Sequence, residues 1–489
     1  MGLKQKTLTG FLWSSAGTLG NGIISLIVTM ILARILTPSD FALIALLQVF
    51  LTISNVVVDS GFSQAIIRDD NPSKTDLSSV FYFNILLSLT IYIILYLLAP
   101  KISLFYDSPE LIKLSRVVFL VIIFNSFSLI QNATLNRNLN FATLNKCSVL
   151  GSLFAGVISI IMAFSGLGIW ALVANSVLLP FFRSILLWYY SKWRPIINFS
   201  FKSIKRYLGF GIFLMFQGVI DAISTNLITL VIGKVYTKNE LGYYSQGKKL
   251  DGYIVTPFNT IIQKVTYPIL AKIKNEETRI KDAYRQIVGV VMFAFIPVML
   301  FTIFTSKNMI IIFFGDQWGP AGIYLKIVAI SQILFPLQIV CTNVVMLKGK
   351  TNIMLYFSFI KHGLRIGLVF AFINHGVLYL AIVFALSTII GSILFIVLGM
   401  KLLKYSFSEL IKDLYKTIIS SFISITIVGL VGYLLSASNT IVIFIIQAIV
   451  MSLIYILFSI ILKDKSLKEL ISLIKTTLSM ILSKTKTLH

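Results

Sequence analysis

The chain is 489 residues long, 57% hydrophobic and 12% charged, with a net charge of +24 and a mean hydropathy of +0.92. Soluble domains carry roughly 25% charged residues, so this composition excludes a soluble protein. The basic excess lies between apolar runs rather than in one patch, which argues against nucleic acid as a partner and for membrane topology and anionic lipid as its cause.

Met1 to Gly10 reads as a short basic lead-in without the features of a cleavable signal. Apolar runs of about 20 residues, the length that crosses the hydrocarbon core as helix, then recur to the far end. The prediction is an all-α integral membrane protein of about 14 transmembrane helices. The first six spans cover 10–34, 40–62, 76–99, 111–135, 142–164 and 167–191. Six more cover 205–232, 239–268, 284–305, 318–345, 351–373 and 376–400, and a last pair covers 412–436 and 438–462. Beyond Asp464, Leu467, Leu470, Ile471, Ile474, Leu478 and Ile481 recur at helical spacing with lysines on other faces, the pattern of an interfacial amphipathic helix.

With the N-terminus placed in the cytoplasm, 27 of the 42 Lys and Arg residues fall in cytoplasmic segments, 6 in outer loops and 9 within spans. That asymmetry favours an even number of spans, with both termini cytoplasmic. Ile31–Ala42 and Val231–Gly242 share a pattern at an offset of 200 residues, each ending a span that leaves the cytoplasm. The pattern is apolar, apolar, small, basic, then Thr, then an acid before an apolar and a small residue. It predicts parallel repeats, with an N-terminal lobe at 1–200, a C-terminal lobe at 201–405, and the final helix pair and tail at 406–489.

An ionisable group at mid-membrane costs at least ~2.5–3.5 kcal/mol on insertion scales, so each needs a cavity, a partner or a route to the interface. The cations within spans are Arg116, Arg183, Lys248, Lys249, Lys264, Lys326, Lys361, Arg365 and Lys416, and the deeper acids are Asp59, Asp221 and Asp251. Lys361 and Arg365 stand one turn apart, Tyr244, Lys248 and Asp251 share a stripe, and Gln217, Asp221, Ser224 and Thr225 form another. Lys361, Arg365, Lys248, Arg116, Gln217 and Tyr244 are the candidate substrate-binding residues, and Asp221, Asp251 and Asp59 the candidates for ion coupling. The alternative is structural: pairing of Lys248 with Asp251, and reach to the interface by Arg183, Lys264, Lys326 and Lys416. In the first span Ser14, Thr18, Asn21 and Ser25 form a polar stripe among Ala16, Gly17, Gly20 and Gly22, small residues that serve either tight packing or a hinge.

Signatures of catalysis are missing. Cys147 and Cys341 sit in apolar segments, three histidines are scattered, and no Gly-rich loop ends in Gly-Lys-Ser or Gly-Lys-Thr. Neither a metal site nor an ATP site is expected, no cofactor is called for, and energy would come from a coupling proton or sodium ion, from product pull or from a partner.

Trp13-Ser-Ser, Leu32-Ala-Arg-Ile-Leu-Thr-Pro-Ser-Asp-Phe-Ala-Leu, Asp59-Ser-Gly-Phe-Ser-Gln-Ala-Ile-Ile-Arg, Leu241-Gly-Tyr-Tyr-Ser, Thr256-Pro-Phe and Tyr267-Pro give the chain a resemblance over nearly its whole length. It resembles the Wzx-type polysaccharide flippases of the multidrug/oligosaccharidyl-lipid/polysaccharide exporter superfamily. The resemblance implies two lobes of six helices in a V around a central cavity, with two extra C-terminal helices. It also implies an undecaprenyl-pyrophosphate-linked oligosaccharide moved to the periplasmic leaflet by alternating access, for O-antigen, capsule or exopolysaccharide. A polysaccharide polymerase and a chain-length regulator would be partners. The family has no site motif that transfers residue by residue. A cation-coupled drug exporter of the same superfamily is the alternative, and the excess of cavity bases weighs against it; an enzyme joining lipid-linked sugars would need a larger outer loop than any here.

Overall fold

The computed structural model describes residues 3–69, 71–273, 276–435, 439–472 and 475; the side chains of 3–16, 210, 264, 265, 267–269, 272, 277, 278 and 351 are outside the description. Among the described residues the structure is helical, with no strand. In chain order the helices are α1 (Leu3–Ile35), α2 (Pro38–Asp59), α3 (Phe62–Arg68), α4 (Lys74–Phe105), α5 (Leu111–Val118), α6 (Leu120–Arg137), α7 (Phe141–Phe164) and α8 (Trp170–Tyr190). Then come α9 (Phe201–Val235), α10 (Lys238–Lys272), α11 (Glu277–Phe314), α12 (Ala321–Gln332), α13 (Phe335–Leu347), α14 (Thr351–Phe372), α15 (Val377–Leu402), α16 (Phe407–Leu434) and α17 (Thr440–Ile461).

Every predicted span overlaps helix. Thirteen stretches among the described residues are long and apolar enough to cross a membrane. The fourth span is a broken helix, α5 and α6, and the tenth is another, α12 and α13. The break before α13 follows from Pro336, which lacks an amide donor and restricts the residue before it. The helix over 239–268, α10, falls outside the thirteen, because Lys238, Glu240, Lys248, Lys249 and Asp251 dilute its apolar windows. The tail predicted beyond Asp464 is helical as far as Ser472; Ile474, Leu478 and Ile481 lie outside the described residues.

Helix starts are written in the local sequence. Thr37 with Asp40, Ser73 with Asp76 and Ser406 with Glu409 each close a capping box, satisfying backbone donors and placing an acid at the positive end of α2, α4 and α16. Large apolar side chains stay exposed along the spans, including Leu86, Leu97, Phe164 and Leu453, as expected where lipid is the solvent. The protein is a multi-pass membrane protein.

The chain forms two compact units. The first runs to Tyr253 and includes Ile366–Leu380; the second holds Ile254–Arg365 and the chain from Ala381. One core of the first unit gathers Phe62 and Ile66 of α3, Leu77, Val80 and Phe81 of α4, Leu129 and Ile130 of α6, and Ile204 and Tyr207 of α9. In the second unit, Tyr284, Val288 and Met292 of α11 pack with Val340 and Val344 of α13, Ile396 and Met400 of α15, and Leu410 and Leu414 of α16.

In the first span Gly17 serves packing, whereas a Cβ on Gly20 would meet its nearest neighbour only at 3.9 Å and one on Gly22 would stand in open space; the Ala16 side chain lies outside the description. A Cβ on Gly17 would come within 2.2 Å of Asn145, and one on Gly156 of α7 within 2.5 Å of Val28, so α1 and α7 touch closely. Its polar stripe bonds to neighbours. The Asn21 side-chain oxygen accepts from the Ser152 hydroxyl, and Ser25 and Thr29 lie 3.1 and 3.0 Å from the Tyr253 hydroxyl of α10.

Candidate functional site

The site is an open cavity of about 910 Å³ in the first unit, walled by the end of α2, by α3 and by α9. The chain turns from α2 into α3 through two left-handed residues, Ser60 (φ 45°) and Gly61 (φ 70°). Gly61 is required there: a Cβ would meet the Gly211 Cα at 2.6 Å, and one on Gly211 would meet the Ser60 carbonyl oxygen at 2.0 Å. Gly218, whose Cβ would lie 2.8 Å from Val56, extends this contact along α9.

Helix α3 has two faces. Phe62, Ala65 and Ile66 point into the core, while Gln64 and Arg68, one turn apart, line the cavity. The Asp59 carboxylate accepts from the Ser63 amide at 3.2 Å and from its hydroxyl, which fixes the first residue of the turn. Asn55, one turn earlier on α2, accepts from the Asn125 amide of α6 at 3.1 Å and also lines the cavity with Thr52. Val56 of α2, Ile67 of α3 and Leu214 and Met215 of α9 line the cavity with them. The lining therefore mixes a carboxylate, a guanidinium, two amides and a hydroxyl with apolar surface. A guanidinium can clamp phosphate oxygens with two parallel hydrogen bonds, and Asn, Gln and Asp suit sugar hydroxyls.

The nine candidate residues read from the sequence distribute as follows. Asp59 lines this cavity. Gln217 and Asp221 are exposed on α9, the first beside the lining residue Gly218. On α10 the Lys248 ammonium donates to the Thr225 carbonyl oxygen of α9 at 3.2 Å, Tyr244 is fully buried, and Asp251 is 2% exposed with one carboxylate oxygen, Oδ1, lacking a hydrogen-bond partner. The Arg116 guanidinium lies over the Tyr96 ring at 4.3 Å, between α5 and α4.

Lys361 and Arg365 stand together in the second unit, both against α15. Arg365 is buried, donates to the Ser387 and Thr388 hydroxyls at 3.0 and 3.1 Å, and lies over the Phe384 ring. The Lys361 stem runs beside Gly391, where a Cβ would come within 2.7 Å of it. Arg183, expected to reach the interface, instead donates to the Asn132 side chain at 2.7 Å.

Four cavity residues, Thr52, Asn55, Gln64 and Arg68, escaped the search for charges deep in spans. For Gln64 and Arg68 the signal was the run from Asp59 to Arg68; Thr52 and Asn55, uncharged and earlier on α2, had none.

Comparison with known proteins agrees with this architecture. Residues 31–322 match the family described as polysaccharide biosynthesis protein. The chain is similar to the teichuronic acid biosynthesis protein TuaB of Bacillus subtilis, 25% identical over 442 residues, covering 89% of this chain and 90% of that one. It is also similar to the lipopolysaccharide biosynthesis protein WzxC of Escherichia coli, 23% identical over 370 residues and 74% of each chain. Among solved structures, the lipid II flippase MurJ in an inward closed conformation superposes with a TM-score of 0.76 at 18% identity, covering 93% of this chain and 99% of that one. A multidrug resistance MATE family transporter, inward-facing, gives a TM-score of 0.62 at 14% identity, covering 78% of this chain and 94% of that one. The family match spans more than half of the chain, and the protein is thus a member of the polysaccharide biosynthesis protein family, built on the helical transporter fold that MurJ and MATE proteins share.

Proposed function

We propose that the protein is a flippase that carries lipid-linked oligosaccharides, with an undecaprenyl-pyrophosphate anchor, from the cytoplasmic to the periplasmic leaflet for surface polysaccharide assembly. The observation that carries this reading is the mixed lining of the cavity, where Asp59, Asn55, Gln64 and Arg68 stand among Val56, Ile67, Leu214 and Met215. A substrate that joins sugar, phosphate and hydrocarbon needs both. The relatives named for teichuronic acid and lipopolysaccharide biosynthesis support it, as does the fold shared with a lipid II flippase. The reading takes the chain as a transporter and not an enzyme.

On this proposal the protein lies in the bacterial inner membrane with both termini in the cytoplasm, following the Lys and Arg asymmetry of the loops. Transport proceeds by alternating access, with the lipid tail remaining in the bilayer. Asp251, buried on α10 with an unpartnered oxygen, is the first choice for a coupling proton or sodium ion, ahead of Asp221 and Asp59. Lys361, Arg365, Lys248, Arg116, Gln217 and Tyr244 remain second choices for substrate contact, and a polymerase and chain-length regulator would take the product onward.

The test is complementation of a flippase-deficient strain that expresses the cognate sugar pathway, at matched membrane levels. Wild type is expected to restore surface polysaccharide, and Arg68→Ala to lower it roughly tenfold through loss of a charge-assisted contact. Full restoration by Arg68→Ala would remove the cavity from the substrate path while keeping the function. Failure of the wild type together with raised resistance to cationic drugs would replace the flippase by a drug exporter.

A further inference from the structure

A second cavity, of about 580 Å³, lies in the second unit where α11 and α16 begin and the chain leaves α17. All three helices are spans that start or stop at this level, so the cavity sits at the membrane interface. Its charges divide into two groups. Arg285 and Asp413 are engaged with each other through two hydrogen bonds of 2.7 Å, and Asp413 also accepts from the Tyr405 hydroxyl at 2.7 Å. Asp464, 3% exposed, accepts from the Thr417 hydroxyl at 2.8 Å and from the Ser466 amide at 2.9 Å. These acids are structural.

Three lysines remain around the opening. Lys412 and Lys416 stand one turn apart on α16, and Lys465 faces them from the segment after α17. Among the described residues the Lys416 ammonium donates to the Lys463 carbonyl oxygen at 3.2 Å, and no carboxylate lies within ion-pair distance of any of the three. Of the other acids at the rim, Asp282 is exposed, and the Glu469 carboxyl is pushed up by burial against the opposing pull of the Lys465 charge. Tyr415, which also lines the cavity, shares a stripe of α16 with Ile411 and Ile418, and all three are exposed. Ile460 and Ile461 at the end of α17 are 59% exposed. Cationic side chains thus sit directly beside apolar surface that only lipid chains would cover.

We propose that this cavity binds the headgroup of an anionic phospholipid, with the phosphodiester held by Lys412, Lys416 and Lys465 and the acyl chains lying along Ile411, Tyr415 and Ile418. The lysines supply compact point charges suited to a phosphate, and basic pockets between membrane helices are where anionic headgroups gather. The site is separate from the cavity of the first unit and stands or falls independently of the transported substrate.

The test uses the purified full chain in a neutral detergent and measures binding of phosphatidylglycerol, phosphatidylcholine and inorganic phosphate by native mass spectrometry and by the shift of the thermal midpoint. Wild type is expected to retain phosphatidylglycerol in preference to phosphatidylcholine. The triple variant Lys412→Gln, Lys416→Gln, Lys465→Gln should bind it roughly tenfold more weakly or worse, and the triple change to Arg should keep binding. An unchanged thermal midpoint without lipid shows that a variant is folded; should the triple Gln variant not fold, Lys412→Gln alone carries the comparison. Equal retention of the two lipids, equal binding by the Gln variants and wild type, or a response to inorganic phosphate without one to phosphatidylglycerol would each overturn the proposal.

Discussion

Gly211 meets the Ser60 carbonyl at a distance that leaves no room for a methyl group, and the contact holds α9 against the turn between α2 and α3. Gly211→Ala is therefore expected to destabilise the protein by about 1–3 kcal/mol, the usual cost of forcing atoms into a filled site. Gly209, two residues earlier in the same helix, has open space where a Cβ would go, so Gly209→Ala should leave the thermal midpoint level or slightly higher. A drop of similar size in both variants would mean that the close contact at Gly211 is not what sets the loss. At this scale the sequence was only partly legible. Arg365 stood out because a guanidinium at mid-membrane needs an explanation, but Ser387 and Thr388, its acceptors, are ordinary hydroxyls a span away. Arg68 drew no notice as a site residue, because a cation in a predicted cytoplasmic segment, here between the spans at 40–62 and 76–99, already has a topological explanation. Only the fold of the Gly61 turn brings it to a cavity.

Helix α3 and the start of α4 are tied to α9 by a polar cluster outside the bilayer. The Tyr207 hydroxyl donates to Asp69 at 2.6 Å, and the Arg206 guanidinium reaches both Asp69 and Asp76 at 3.0 Å. The Tyr207 hydrogen bond, with help from the Arg206 charge, holds the Asp69 carboxyl below its ordinary value of 3.8. A carboxyl depressed in the folded state contributes stability above its ordinary value and loses it as pH falls through the folded one. Tyr207→Phe should shift the acid loss of this tie upward toward 3.8, measured as protease nicking between α3 and α4 across the acid range. Identical acid profiles for variant and wild type would assign the tie to Arg206 alone. Elements were the most legible level. Capping boxes at Thr37, Ser73 and Ser406 mark three starts, and apolar length marks the spans. The breaks inside the fourth and tenth spans were not read, since hydropathy does not register a change of direction, although Pro336 marks the second of them.

For the whole molecule, the distribution of Lys and Arg makes a sharp prediction at α10. Its charged residues keep it out of the thirteen apolar spans, yet the parity of the loops requires it to cross. Reporters placed between Tyr236 and Lys238 are expected outside the cell membrane and reporters after Glu276 inside. The same side for both would make α10 a non-crossing helix and reverse every loop after it. Class and fold were legible from composition and from the motifs shared with polysaccharide flippases. A coupling ion was not legible, because the signature of one would be a few oxygens converging from several helices.

Two polar residues of the first cavity, Gln64 and Arg68, ride on α3, seven residues set between two spans and joined to the first through Ser60 and Gly61. The machinery that inserts helices into a bilayer judges each span by its apolar length, and α3 is exempt from that judgement. Gln64 and Arg68 can be exchanged for other polar residues while α2 and α4 still insert unchanged. On the proposed function, a change in the sugar recognised would then be uncoupled from the demands of biogenesis.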